Sequence, residues 1–160
     1  MISNSTPIIC LAKIGRLELL KKLFGTVTLP QAVKQEVLVE GKPGYAAIAE
    51  AFIQGWLRTA EARTSLNLGL GKGEEAAISL AKEANDALVI DDAFATKAAK
   101  ALGVNCLRTT TVIITAVSKK IITRKEAVLI IKDIINAGYY ITPRHLAELL
   151  ISHVAEHVSV

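Results

Sequence analysis

Leu88-Val89-Ile90-Asp91-Asp92 is an apolar run that ends in two adjacent carboxylates. With Ala87 it makes four consecutive apolar residues, the mark of a strand buried on both faces in a parallel sheet. Ligands in open α/β sheets sit at the carboxyl ends of the strands. Two carboxylates placed there repel each other unless a cation or a proton relieves them.

Short apolar runs and helical stripes alternate on either side of this segment. Ile2-Ser3-Asn4 reads as a first strand, with Pro7 in the first turn of a helix that carries Ile8, Ile9, Leu11, Ala12 and Ile14. A helix over 17–23 and a strand over Val27-Thr28-Leu29 follow, and Pro30 opens a helix with Ala32, Val33, Val37 and Leu38. The pattern predicts a helix over 45–53, an edge strand over Trp56-Leu57-Arg58-Thr59 and a helix over 74–84. Between the last two, 61–73 is polar and glycine-rich, a flexible lead-in to the helix rather than a nucleotide loop. A helix over 94–102, a strand over Val104-Asn105-Cys106-Leu107 and helices over 109–117, 124–135 and 143–153 complete the chain. This alternation predicts one α/β domain over residues 1–160, a mostly parallel sheet with helices on both faces. The apolar stripes in 128–135 and 146–151 read mostly as core, with a partner-binding face as the alternative.

Composition narrows the function classes. A hydrophobic fraction of 51% with 21% charged residues excludes disorder. No apolar run is long enough for a membrane helix, and the amino terminus lacks a basic, then apolar, signal segment, so a cytoplasmic location is expected. A net charge of +4 mildly favours a polyanionic partner. Cys10 and Cys106 read as reduced, buried thiols and cannot supply a zinc ligand set. His153 and His157 are four apart on a helix, without a third metal ligand.

The acids and polar residues converge on one sheet edge. Asn4 ends the first strand, Asp91 and Asp92 end the strand near residue 90, and Thr109 follows the strand near residue 106. Glu36 lies three residues after Val33 and four after Ala32, on or beside a buried stripe. Glu74 shares a face with Ala77, Ile78 and Ala81, whereas Glu75 borders solvent. A core-facing glutamate needs a partner. Glu36, Glu74 and Asp91 together suit Mg²⁺ or Mn²⁺, which take hard oxygen ligands and activate water against a phosphodiester. Each acid also has a plain structural reading: Glu74 and Glu75 as first-turn acids, Asp92 as the N-cap of the next helix.

Four blocks in order resemble the PIN-domain ribonucleases. Ile2-Ser3-Asn4-Ser5-Thr6-Pro7-Ile8-Ile9 looks like that family's opening, and Val27-Thr28-Leu29-Pro30 with Val33 and Glu36 like its second block. Leu70-Gly71-Lys72-Gly73-Glu74-Glu75-Ala76-Ala77-Ile78 resembles the Leu-Gly-x-Gly-Glu block of a VapC-like archaeal and bacterial branch, and Leu88 to Asp92 its final acidic block. The resemblance spans roughly residues 1–145. It implies a three-layer α/β/α, Rossmann-like fold and a Mg²⁺- or Mn²⁺-dependent endoribonuclease acting on single-stranded RNA. It also implies a homodimer and an antitoxin protein as partner. Its acidic positions map to Asn4, Glu36, Glu74 and Asp91, with Asp92 adjacent. Lys72, Lys97, Arg108 and Thr109 are the candidates for substrate contact.

Two positions depart from the family pattern. Asn4 stands where an Asp is usual, so it offers a carbonyl oxygen to a metal without a negative charge. Thr96 stands where the branch has Arg, and the neighbouring Lys97 replaces the charge but not the bidentate geometry. The alternative is therefore a non-catalytic PIN-like module that acts by binding RNA or protein.

Overall fold

Each strand is short because a turn or a helix start brackets it. The computed structural model describes the backbone of residues 1–158 and the side chains of residues 1–149 and 151. Five strands, β1 (Ile2–Ser3), β2 (Val27–Leu29), β3 (Leu57–Thr59), β4 (Leu88–Val89) and β5 (Cys106–Leu107), form one sheet in the order β3-β2-β1-β4-β5. Every pairing is parallel. The strand order reverses at β1, so the crevice between β1 and β4 is the topological switch point, the usual ligand position in a doubly wound sheet.

Among the described residues the helices are α1 (Ser5–Lys13), α2 (Glu18–Phe24), α3 (Gln31–Val37), α4 (Tyr45–Ile53), α5 (Lys72–Ala84), α6 (Ala93–Ala101), α7 (Thr109–Ser118), α8 (Arg124–Asn136) and α9 (Pro143–Val158). With the sheet they build the expected three-layer α/β/α fold. None is long and apolar enough to cross a membrane.

Leu88, Val89 and Ile90 are fully buried, as a strand covered on both faces requires. They join Ile2, Val27, Leu29 and Leu57 in a core around the sheet. A second cluster lies outside it, where Leu19, Ile113, Ile130, Ile134 and Tyr139 pack α2, α7 and α8 together.

Helix α1 begins at Ser5, which leaves Pro7 in its first turn as the sequence predicts, and Asn4 is its N-cap residue. Pro7 fits there because the first turn of a helix leaves its N–H groups unbonded. On α8 only Ala127, Ile130 and Ile134 are buried, while Val128 and Leu129 are exposed, so the stripe is narrower than the run of apolar letters. The side chains of His153 and His157 lie outside the described residues.

Candidate functional site

The parallel register brings two of the expected residues to the switch point. Ser3 is level with Val89, and the Asn4 N–H continues the ladder by donating to the Val89 carbonyl at 2.9 Å. Asn4 is therefore level with Ile90, one residue short of Asp91, on strands that neighbour at about 4.8 Å. Asn4 is 4% exposed, and its Oδ1 is buried with no hydrogen-bond partner. It sits at an N-cap position, yet its side chain does not cap α1. An unbonded buried carbonyl costs free energy, so this oxygen is an acceptor waiting for a donor or a cation.

Asp91 is held from two sides. Its Oδ1 accepts from the Thr109 N–H at 2.9 Å and from the Tyr139 hydroxyl at 2.6 Å, and its Oδ2 accepts from the Thr109 hydroxyl at 2.6 Å. Thr109 stands at the first position of α7, where a free N–H is available for a carboxylate. Three donors fix one carboxylate rotamer and leave Oδ2 room for one further partner. Burial, reinforced by the Asp91 charge and hydrogen bond, pushes the Tyr139 phenol far above its ordinary value, so Tyr139 keeps the proton it donates to Asp91. Sequence reasoning brought Thr109 to this edge as a substrate contact, but it is fully buried and holds Asp91 instead; Tyr139, 48 residues along the chain from Asp91, was missed.

Asp92 takes the structural alternative. Its Oδ1 accepts from the Ala95 N–H at 2.7 Å and caps α6. Thr96 is buried, and its hydroxyl donates to the Asp92 carbonyl at 2.6 Å. The position where the branch carries Arg is thus turned into the fold. Lys97 is exposed beside it.

The two glutamates in the first turn of α5 both accept from backbone N–H groups ahead of the helix. Glu74 Oε2 accepts from the Gly71 N–H at 3.1 Å, the acidic half of a capping box. Glu75 does not border solvent as its helical position suggested. It is half-buried, and its Oε1 accepts from the N–H groups of Leu68 and Leu70, both at 2.9 Å. Ser79 Oγ accepts from the Leu66 N–H at 3.0 Å and Glu83 from the Arg63 N–H at 2.8 Å. Glu75, Ser79 and Glu83 are spaced by four, so one face of α5 fastens the preceding stretch at four backbone N–H groups. The glycine-rich lead-in is pinned, not flexible.

Glu36 is exposed, at the edge of α3 rather than on its buried stripe. Its carboxylate rests on Gly73, in the first turn of α5: a Cβ built at Gly73 would lie 2.3 Å from Glu36 Oε1. Gly73 is required by this approach, which brings Glu36 next to Glu74. Lys72, at the start of α5, is exposed, and Arg108, at the start of α7, is half-buried.

The neighbourhood of Asp91 leaves a signature in alkali. Cys10 and Cys106 are free and half-buried, not fully buried. Burial, and after it the Asp91 charge, pushes the Cys10 thiol up from 9.0 to about 11. A raised pKa in the folded state contributes stability that is present below the unfolded value and lost as pH rises through the folded one. The melting temperature is therefore expected to fall between pH 9.0 and about 11, and Cys10→Ala to flatten that limb. Thermal scans across the range check this, and equal slopes for both proteins would contradict it.

A family model described as DUF3368, a PIN domain, matches residues 1–155. The chain belongs to the PIN-domain family. This PIN domain is similar in fold to a PilT N-terminus domain protein, SSO1118, from the hyperthermophilic archaeon Sulfolobus solfataricus P2, at 19% identity and a TM-score of 0.51. The likeness covers 72% of this chain and 93% of that one. No curated protein matches the chain.

PIN domains are usually nucleases and generally bind divalent metals. The donors at this edge are hard oxygens, which suit Mg²⁺ or Mn²⁺. Among the described residues no three His, Cys, Asp or Glu side chains are grouped so as to hold a metal, so the expected ligands Glu36, Glu74 and Asp91 do not stand as one cluster. The acceptor left without a partner is the amide oxygen of Asn4, a residue outside those four types. That orphaned oxygen fits a cation at the switch point.

Proposed function

We propose that this PIN domain is a divalent-metal-dependent endoribonuclease that hydrolyses single-stranded RNA. The observation that carries the reading is the buried, unpartnered Asn4 Oδ1 at the switch point, with the anchored Asp91 carboxylate at the end of the neighbouring strand. Asn4, Glu36, Glu74 and Asp91 would hold Mg²⁺ or Mn²⁺, with Asp92 left to cap α6. The cation supplies an activated water and a counter-charge for the phosphodiester.

The chain's own residues do the positioning. Thr109 and Tyr139 hold Asp91 in one orientation before substrate arrives, so no reorganisation is needed when charge develops. Glu36 lies over Gly73 and Glu74 caps the same first turn of α5, a helix start braced by its pinned lead-in. Asn4 contributes an oxygen but no charge, so the site holds its cation with one negative charge fewer than an Asp would give. Lys72, Lys97 and Arg108 are the nearby cations for substrate phosphates, with Lys97 taking the charge role that Thr96 cannot.

Resemblance to the VapC-like branch extends the reading to an antitoxin partner and a homodimer. The exposed Val128 and Leu129 of α8, with Tyr140 beyond its end, offer apolar surface for such contacts.

Purified protein given single-stranded RNA is expected to cut it with Mn²⁺ or Mg²⁺ and to stop in EDTA. Cleavage that persists unchanged in EDTA, or none with either metal, refutes the reading. Gly73→Ala supplies an independent check. The added Cβ displaces the Glu36 carboxylate, a flexible and exposed group, while removing a helical Gly stabilises α5 by up to about 1 kcal/mol. The variant is expected to melt no lower than wild type yet to bind Mn²⁺ several-fold more weakly by calorimetry. Unchanged Mn²⁺ affinity would take Glu36 out of the site.

A further inference from the structure

Beside the Asp91 edge, beyond β5, lies a recess of about 460 Å³ between α6, the start of α7 and α9. Its walls carry three permanent cations, Lys100, Arg108 and Arg144, together with His145 and the hydroxyl residue Thr111. The single carboxylate in the lining, Glu148, is bound to the Arg144 guanidinium at 3.0 Å. The side chains of Lys100 and Arg108 have no ion pair or hydrogen bond among the described residues. The recess therefore holds an excess of positive charge in a concave, low-dielectric wall, an arrangement that concentrates anions. Its volume is that of a small-ligand site, roughly 300–1,000 Å³.

The wall formed by α9 is attached at one point of known chemistry. His145 Nε2 shares a hydrogen bond of 2.6 Å with the buried Thr110 hydroxyl, and the His145 N–H of the backbone donates to Thr142 Oγ1 at 3.1 Å. Thr110 follows Thr109, the residue that holds Asp91, and Arg108 precedes it. One short stretch, 108–111, thus faces the acidic edge with one residue and the recess with its neighbours.

We infer that this recess is a phosphate subsite for the RNA strand, holding a nucleotide next to the one at the acidic edge through Lys100, Arg108 and Arg144. The inference rests on the proposed RNA substrate. Phosphate is favoured over an acidic peptide because the recess adjoins Asp91 and Asp92, which repel a run of carboxylates. A phosphodiester strand has its other phosphate to offer to that edge once a cation is there. His145 is a positioning residue: it sets α9, and so Arg144, against α7.

The test is binding, measured without cleavage. A short fluorescein-labelled single-stranded RNA is titrated in EDTA with wild type and with Lys100→Ala, Arg108→Ala and Arg144→Ala, followed by anisotropy. Each pocket variant is expected to bind roughly five- to tenfold more weakly. Each is also expected to lower the slope of log affinity against log salt by about 0.7. Lys42→Ala, an exposed cation outside the lining, serves as control and should stay within roughly twofold. Lys100 and Arg144 are exposed, so their removal leaves the core intact, and circular dichroism verifies it. Pocket variants that bind like the control overturn the inference. So does displacement of the RNA by an aspartate- and glutamate-rich peptide but not by adenosine monophosphate. Asp91→Asn, compared at a temperature where it is folded, separates the two readings, since Asp91 does not line the recess. If it binds RNA as wild type does while the pocket variants do not, the subsite stands even where wild type fails to cut.

Discussion

Asp91→Asn is expected to lower RNA cleavage by more than roughly a hundredfold, a larger loss than changes one shell removed from a metal usually give. The substitution keeps the size of the side chain and removes its charge. It also replaces one acceptor oxygen by an amide N–H₂ group, and the carboxylate currently receives three donors, from the Thr109 N–H, the Thr109 hydroxyl and the Tyr139 hydroxyl. With the amide nitrogen in place of Oδ2, the Thr109 hydroxyl turns from donor to acceptor and its proton loses its partner. Leaving a buried donor unpaired costs about 1–3 kcal/mol, so the variant is also expected to melt lower. Tyr139→Phe separates the two effects. It keeps the carboxylate and both Thr109 donors while deleting one hydrogen bond, at about 1–2 kcal/mol of stability. Its cleavage should remain well above that of Asp91→Asn at a temperature where both are folded. Initial rates with Mn²⁺, read beside thermal melts of the same samples, decide the matter. Cleavage by Asp91→Asn within threefold of wild type would remove Asp91 from the chemistry.

Asn4→Asp carries the second large effect, and its sign depends on metal. In EDTA the new carboxylate sits at a position 4% exposed, where the present oxygen already lacks a partner. An unpaired buried charge is costly, and the group responds by raising its own pKa. A raised carboxyl pKa means stability that falls as pH climbs through the acid range, so the metal-free variant should melt lower at pH 8 than at pH 5 relative to wild type. Added Mn²⁺ reverses the loss by pairing the charge. At a hundredfold excess over the dissociation constant the gain is about 2.7 kcal/mol, and the variant should show more of it than wild type at equal Mn²⁺. Cleavage is expected to rise roughly tenfold, for one added charge in contact with the cation. Equal Mn²⁺ stabilisation of the two proteins would place Asn4 away from the metal.

Much of the fold was legible because its signals are local. The run Leu88-Val89-Ile90 announces a strand covered on both faces, and all three residues are fully buried. Pro30 opens α3 one residue after β2, and Asp92 caps α6, a role open to it from its place before Ala93. Helical spacing set Glu74 inward and Glu75 toward solvent, yet both are half-buried and both accept from backbone N–H groups ahead of α5. What covers a helix face is a tertiary matter, and here the covering is the stretch ahead of α5. Spacing likewise put Glu36 beside a buried stripe. Only the approach of α3 to α5 shows that its carboxylate lies over Gly73, in a space that any Cβ would fill.

By itself the sequence determined which segments extend, which coil and which polar residues stand at strand ends, because propensity, capping and periodicity act over a few residues. It determined the family as well, through blocks whose order survives in the chain. The tertiary structure decided the strand order that makes the β1–β4 crevice a switch point, the Tyr139 hydroxyl on Asp91, and the solitude of the Asn4 oxygen. It also decided that Arg108 and Arg144, far apart in the chain, share one recess. These are contacts between distant residues, set by how whole elements pack, and no local pattern encodes which distant donor a carboxylate will meet.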